Sequence, residues 1–211
     1  VLASVTLGST IGQRCETLGV PVVELNRNDG GQGLCVVSDN EAGGETAIDH
    51  LVAQGCRRIG HIAGWEGAST QRAREAGALA ALRRAGLGLY AREVGNFDAD
   101  QAREAARRMF SEDDIPDGVF VANDFMAFHV LDVGRYELGL RVPEDVAVIG
   151  FDDVPTASFA AYRLTTIKQD LPVMVSHTVN ALMGRETQSR VIAPQLVIRS
   201  TCGAGSDSAR R

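Results

Sequence analysis

The 211-residue sequence is poor in the features that mark secreted, metal-bound, membrane-spanning or nucleic-acid-wrapping proteins. It has four cysteines, Cys15, Cys35, Cys56 and Cys202, set far apart with no Cys-x-x-Cys pair and no Cys/His cluster. That spacing excludes a zinc ribbon and a thioredoxin-type motif, and it argues against a secreted disulfide framework; a reducing cytoplasm fits best. No apolar run approaches the ~18 residues that cross a bilayer, so no membrane contact is implied. A basic n-region followed by an apolar h-region is also missing, although the abrupt start in Val1-Leu2-Ala3-Ser4-Val5 suggests that preceding sequence is absent. Positive charge is in deficit: 21 Lys and Arg against 27 Asp and Glu leave a net charge of −6, the wrong sign for neutralising a run of phosphates. These residues should therefore not bind DNA themselves. Nucleophile elbows, HExxH, GxxxxGK[ST] and a GxGxxG opening a helix are all lacking, so no catalytic residue is assigned.

What is present is an ordinary apolar fraction of 45% with 23% charged residues, in a chain long enough to bury roughly 70% of its unfolded surface without staples. Short β-branched runs alternate with amphipathic stretches, the rhythm of strand, crossover helix and parallel strand, which makes the class α/β. Strands are expected over 1–6, 22–25, 35–37, 59–63, 119–122, 146–151 and 195–199. Helices are expected from near 9 to 19, after a Ser38-Asp39 cap, from a Ser69-Thr70 cap to 86, and over 99–110, 125–138 and 171–183. Residues 90–97 read as a loop, 111–117 as an acidic loop, and 203–211 as a frayed tail. Gly30-Gly31-Gln32-Gly33 precedes a strand rather than a helix and so reads as a connector, not a phosphate loop.

In parallel sheets, ligands gather where strands end and helices begin. Four such junctions carry polar residues: 67–74, Asn96-Phe97-Asp98, Asn123-Asp124, and Gly150-Phe151-Asp152-Asp153. Each Asn or Asp taken alone is explained by a helix cap or a turn, but their convergence at one sheet edge favours a site. Arg72 and Arg74 stand at a helix start, where a cation opposes the helix dipole and is better explained by a carboxylate or ligand. Trp65 is as readily a core plug as a ligand platform. His50, His61, His129 and His177 have no partner at ligand spacing, so no metal is assigned.

Several motifs then occur in one order: Val121-Ala122-Asn123-Asp124-Phe125-Met126-Ala127, Gly139-Leu140-Arg141-Val142-Pro143-Glu144-Asp145-Val146, Gly150-Phe151-Asp152-Asp153 and Leu164-Thr165-Thr166-Ile167-Lys168-Gln169. Supporting them are Asp39-Asn40 with His50-Leu51 and Gly55, Arg74-x-x-Gly77, and Leu196-Val197-Ile198-Arg199-Ser200-Thr201. In this the sequence resembles the effector-binding core of the LacI/GalR family of bacterial transcriptional repressors, over residues 1–201. The resemblance implies two Rossmann-like lobes with parallel sheets, similar to periplasmic sugar-binding proteins, with three crossings near 63–65, 168–170 and 188–193. An N-terminal lobe of 1–63 plus 171–187, a C-terminal lobe of 64–168 plus 194–201 and a flexible 202–211 follow from that layout. The family's helix-turn-helix headpiece and the first two βα units are missing, so the N-terminal lobe is expected to be incomplete and to expose apolar surface.

Mapped onto this chain, the family's effector contacts are Thr70, Arg74, Phe97, Asn123, Asp152 and Gln169. Such a set suits polyols: a carboxylate accepts from neighbouring hydroxyls, the guanidinium offers a rigid fork of donors, the amide offers both roles, and the ring covers an apolar sugar face. The resemblance further implies a cytoplasmic homodimer that takes a sugar-like small molecule, meets operator DNA through the absent headpiece, and uses no cofactor. A purine, or a sugar phosphate, is the variant that the two arginines allow. A periplasmic sugar-binding protein of a transporter is the main alternative, and an enzyme on the same fold the third. Cys56, where the family often has His, His129, where it often has Gly, and one extra residue in the helix over 125–139 are departures.

Overall fold

The computed structural model describes residues 1–31, 33–111 and 114–203. Two sheets are built in turn. A short helix α1 (Ile11–Thr17) precedes β1 (Glu24–Leu25) and β2 (Cys35–Ser38), and both strands belong to a small sheet. The chain then enters a six-stranded sheet through α2 (Asn40–Ala53), β3 (Ile59–Ala63), α3 (Ser69–Arg84), β4 (Ala91–Val94), α4 (Ala99–Met109), β5 (Gly118–Val121), α5 (Asp124–Asp132), β6 (Ala147–Asp152) and β7 (Thr165–Lys168). It returns to the small sheet with α6 (Leu171–Leu182) and β8 (Arg190–Ile192), and finishes on β9 (Gln195–Val197) at the edge of the large one. The orders are β1-β2-β8, all parallel, and β4-β3-β5-β6-β7-β9, parallel except for the antiparallel β9.

Sequence alternation explains the layers. Val119 and Val121 point to one face of β5 and meet α4 and α5, whose Ala102, Ala105, Ala106, Met126 and Leu131 are buried with them. Phe120 points to the other face and packs with Ile48, Leu51, Ala78 and Leu82 from α2 and α3. Helices cover both faces of this sheet, which is why its central strands are apolar on both sides. The small sheet has much less: its buried cluster is Val23, Val36 and Met174, and Ile11, Leu18, Val173, Val175 and Val179 nearby are exposed.

The sheet pairing corrects the expected boundary at residue 63. Strand β3 lies inside the six-stranded sheet between β4 and β5, and α2 packs its Ala47, Ile48 and Leu51 into that sheet's core. The first crossing is therefore between Ser38 and Asn40, and the others fall between Lys168 and Leu171 and between Ile192 and Gln195. Residues 1–6 make only an isolated bridge, Leu2 with Glu24, instead of a strand. Strand β4 stands where a loop was expected, and β8 was not foreseen. Helix α3 starts with Ala68 as its N-cap and has no side-chain cap, because the Ser69 hydroxyl accepts from the Asn28 amide at 3.0 Å instead. The expected tail begins too early: Cys202 is buried and its carbonyl accepts from the Thr165 hydroxyl at 2.8 Å. Residues 204–211 of that tail, and Glu112 and Asp113 of the acidic loop, lie outside the described residues. The fifth helix ends in a π-helical turn over Val133–Glu137, closed by Leu138 N to Val133 O at 3.1 Å.

Candidate functional site

The carboxyl ends of β3 to β7 come to one edge of the large sheet, and those of β1 and β2 face them. Backbone conformation marks the same places. Asn26 after β1, Asn96 and Phe97 after β4, and Asp152 and Asp153 at the end of β6 all have positive φ. Non-glycine residues adopt that region at a cost, so its concentration at these junctions points to side chains held for a purpose other than stability.

Arg74 is the centre of the arrangement. It lies one turn into α3 and is 3% exposed. Its Nε donates to Asn40 Oδ1 at 2.8 Å, one terminal nitrogen to the Ala122 carbonyl at 2.6 Å, and the other reaches Asp152 Oδ1 at 3.3 Å. The guanidinium also lies over the Phe151 ring, 3.6 Å from its centroid, a flat contact that a lysine could not make. Burial works against this charge and lowers its proton affinity, while Asp152 and Asp124 pull the other way. Asp152 is raised above the usual carboxylate range, first by burial, with Arg74 and Gln169 opposing. Gln169 donates to Asp152 Oδ1 at 2.7 Å.

The remaining predicted residues fall around that triad. Thr70 is buried on the first turn of α3. Asn123 uses Oδ1 to cap α5 through the Met126 amide at 3.0 Å, so its role as a cap is real and only its amide nitrogen is left to face a ligand. Phe97 lies against Gly64, where any side chain would overlap the ring, and the Arg27 guanidinium from the small-sheet side sits 5.4 Å from its centroid. All six thus sit on the carboxyl edge of the large sheet. Arg72 is not with them: it is exposed and donates to the Glu66 carbonyl at 2.9 Å. Trp65 is 41% exposed and fills no core.

Sequence reasoning named Asp124 and Phe151 only as members of strand-end junctions and Asn40 only within a motif, and assigned none of them a role; in the structure Asn40 and Phe151 hold Arg74. Four buried polar atoms find no hydrogen-bond partner among the described residues: Gln169 Oε1, Asn26 Oδ1 and Ser38 Oγ on this side, and His129 Nδ1 on α5. Such atoms are costly unless something supplies a partner. Asn26, Ser38, Asn40 and Ser69 line a cavity of about 180 Å³ between the sheets. The signal for Asn26 was available, since an Asn directly after a strand tolerates positive φ. Another concavity, about 850 Å³, is at the opposite edge, lined by Cys56, Asp117, Arg141, Asp145 and Cys202 among others. There Asp145 pairs with Arg141, and Asp117 accepts from the Arg57 and Arg58 backbone amides. Its thiols are held protonated, pushed up by burial to about 11 for Cys56 and about 12 for Cys202.

Two largely parallel sheets joined by three crossings, with polar side chains at facing carboxyl edges, make a two-lobed α/β layout with a cleft between the lobes. Residues 48–202 match the periplasmic binding protein-like domain. Among curated relatives, the HTH-type transcriptional repressor PurR of Haemophilus influenzae (strain PittEE) is 35% identical over 170 residues, covering 75% of this chain and 50% of that protein. The ribose operon repressor of Escherichia coli (strain K12) is 36% identical over 181 residues, covering 84% and 54%. Among solved structures, a LacI transcriptional regulator from a Rhodococcus species superposes with a TM-score of 0.82 at 33% identity, covering 93% of this chain and 76% of that one. The transcriptional regulator CelR in complex with cellobiose superposes with a TM-score of 0.84 at 31% identity, covering 95% and 64%. The chain belongs to the LacI/GalR family, as its effector-binding core. It spans about half the length of the curated relatives it matches.

Proposed function

We propose that this chain is the sensing core of a transcriptional repressor, taking a sugar or a related polyol between its two sheets. The observation that carries the reading is the Arg74–Asp152–Gln169 array, with Arg74 and Gln169 buried and Asp152 half-buried, in which Gln169 Oε1 is left without a protein partner among the described residues. Hydroxyls complete such an array well. Asp152, with one oxygen engaged by Arg74 and Gln169, has its second oxygen to accept from a hydroxyl, Gln169 Oε1 accepts another, and Phe97 covers an apolar ring face. The ribose operon repressor and the cellobiose complex among its relatives favour a sugar over a purine or a sugar phosphate.

Ligand groups on both sheets would favour the closed arrangement, and differential affinity for closed and open forms is what can re-angle the lobes. In a homodimer whose headpieces meet operator DNA, that change alters their spacing. A thermal-shift screen with D-ribose, cellobiose, other monosaccharides and polyols, sugar phosphates and purine bases tests the reading, with Asp152→Ala as control. The expected result is a rise in Tm with one sugar class that Asp152→Ala abolishes. A rise that survives Asp152→Ala removes the assigned site; a rise only with purines or phosphates removes the ligand class; no rise with any compound counts against small-molecule sensing.

A further inference from the structure

Arg27 follows β1 on the small-sheet side of the cleft, directly after Asn26, whose φ of 68° turns the chain there. Its guanidinium is half-buried and rests over the Phe97 ring of the opposite edge, 5.4 Å from the centroid. Contact with a ring face steadies a guanidinium but engages none of its N–H donors. Among the described residues the Arg27 side chain has no hydrogen bond and no ion pair. The carboxylates at the facing edges are committed elsewhere. Asp152 is held by Arg74 and Gln169, Asp153 by Arg199 at 2.7 Å, Asp124 by the Thr166 hydroxyl and the Val154 amide, and Asp29 by the Gly31 amide at 2.7 Å. Lys168, in register with Asp152 on the neighbouring strand, is exposed and likewise unpaired among the described residues. The Arg27 charge reaches the centre of the site, where it favours the anionic form of Asp152 and opposes the charge of Arg74.

The two sides of the cleft therefore lack different things. On the large sheet, Gln169 Oε1 and the second oxygen of Asp152 are acceptors that hydroxyls complete. On the small sheet, Arg27 offers a fork of donors and a positive charge. A neutral hydroxyl satisfies a donor but leaves that charge uncompensated where the lobes exclude water; a carboxylate meets the fork with two parallel hydrogen bonds and offsets the charge. A phosphate dianion brings more negative charge than one guanidinium offsets, and it brings it towards Asp152. We propose that Arg27 is a specificity-determining residue of the cleft and that the ligand is a carboxylated sugar, a uronate or an aldonate, whose hydroxyls meet Asp152 and Gln169 while its carboxylate takes the open edge of Arg27. This rests on the cleft reading above and narrows its ligand class. It also accounts for an anion entering a chain of net charge −6, because the attraction is local and comes from a cation that the fold leaves without a partner.

Calorimetric titration at neutral pH and matched ionic strength tests this, with D-glucuronate, D-galacturonate and D-gluconate set against D-glucose, D-galactose and D-glucose 6-phosphate. The expected result is that one acid binds about tenfold or more tightly than its neutral counterpart. Arg27→Gln should remove that preference, weakening the acid about tenfold while changing the neutral sugar little. Arg27→Lys, which keeps the charge without the planar fork, should restore part of it. Because the Arg27 side chain makes no hydrogen bond to the rest of the fold, both variants should unfold at the parent Tm within a few degrees, so a loss of preference reads on the ligand and not on folding. Neutral sugars that bind as well as the acids, a preference that survives Arg27→Gln, or a preference that passes to the phosphate each overturn the proposal. If neutral sugars bind and Asp152→Ala abolishes that binding, the cleft reading stands while this one falls. Binding of an acid that Asp152→Ala leaves intact, or no binding by any of the compounds, overturns both.

Discussion

Arg74 is held on all sides, by Asn40, the Ala122 carbonyl, Asp152 and the face of Phe151. Arg74→Lys keeps the charge but cannot reach these partners together, and it should cost roughly 2 kcal/mol in urea unfolding, mostly through acceptors left unpaired. Asp124 makes a second prediction through pH. Its folded value of about 7 lies above its ordinary 3.8, so the folded chain keeps a proton that the unfolded chain has already lost. Stability from this group is therefore greatest at low pH, falls as pH rises from about 4 to about 7, and is level above, a change on the order of 4 kcal/mol. Asp152, also raised, acts in the same sense, while buried His61, lowered chiefly by burial, costs stability as pH falls through its ordinary 6.5. Comparing urea unfolding of the parent and Asp124→Asn between pH 5 and 8 isolates the Asp124 contribution, and the variant should show the flatter profile.

At the scale of elements, α2 and α3 meet backbone to backbone. A methyl group on Gly44 would overlap the Arg74 carbonyl, and one on Gly77 the Glu41 carbonyl, so the two glycines let α3 bring Arg74 against Asn40. Gly77→Ala should force the helices apart at a cost of roughly 2–3 kcal/mol, visible as a lower Tm, and should weaken any ligand that depends on Arg74. The Asp39 cap on α2, which accepts from the Ala42 amide at 3.0 Å, is worth less; Asp39→Ala should cost about 1 kcal/mol. Helix positions were legible because caps and apolar periodicity are local. Strands β4 and β8 were not, since each lies at a sheet edge with half-exposed or exposed side chains and lacks the apolar run that announces a central strand such as β5.

For the whole molecule, the two sheets differ in how much they bury. The large sheet has two dense layers of core, one on each face, while the small one rests on Val23, Val36, Met174 and partly buried neighbours. Amide hydrogen exchange should therefore be slowest in β5 and β6 and markedly faster in β1, β2 and β8, because local opening follows buried contact.

By itself the sequence determined the α/β class, most helices and the family resemblance, since periodicity, caps and strand-end motifs are written in neighbouring residues; the six candidate contacts came only through that resemblance. Which sheet each element joins was decided by tertiary structure. Strand β3 and helix α2 look the same locally whether they serve one lobe or the other; their place in the large sheet is set by strands and core residues far along the chain. The same holds for the site's inner layer. Asn40, Phe151 and Asp124 matter because folding brings them against Arg74 and Asp152 in a place with little water, and the charge balance that follows depends on distance and burial, which no run of adjacent residues encodes.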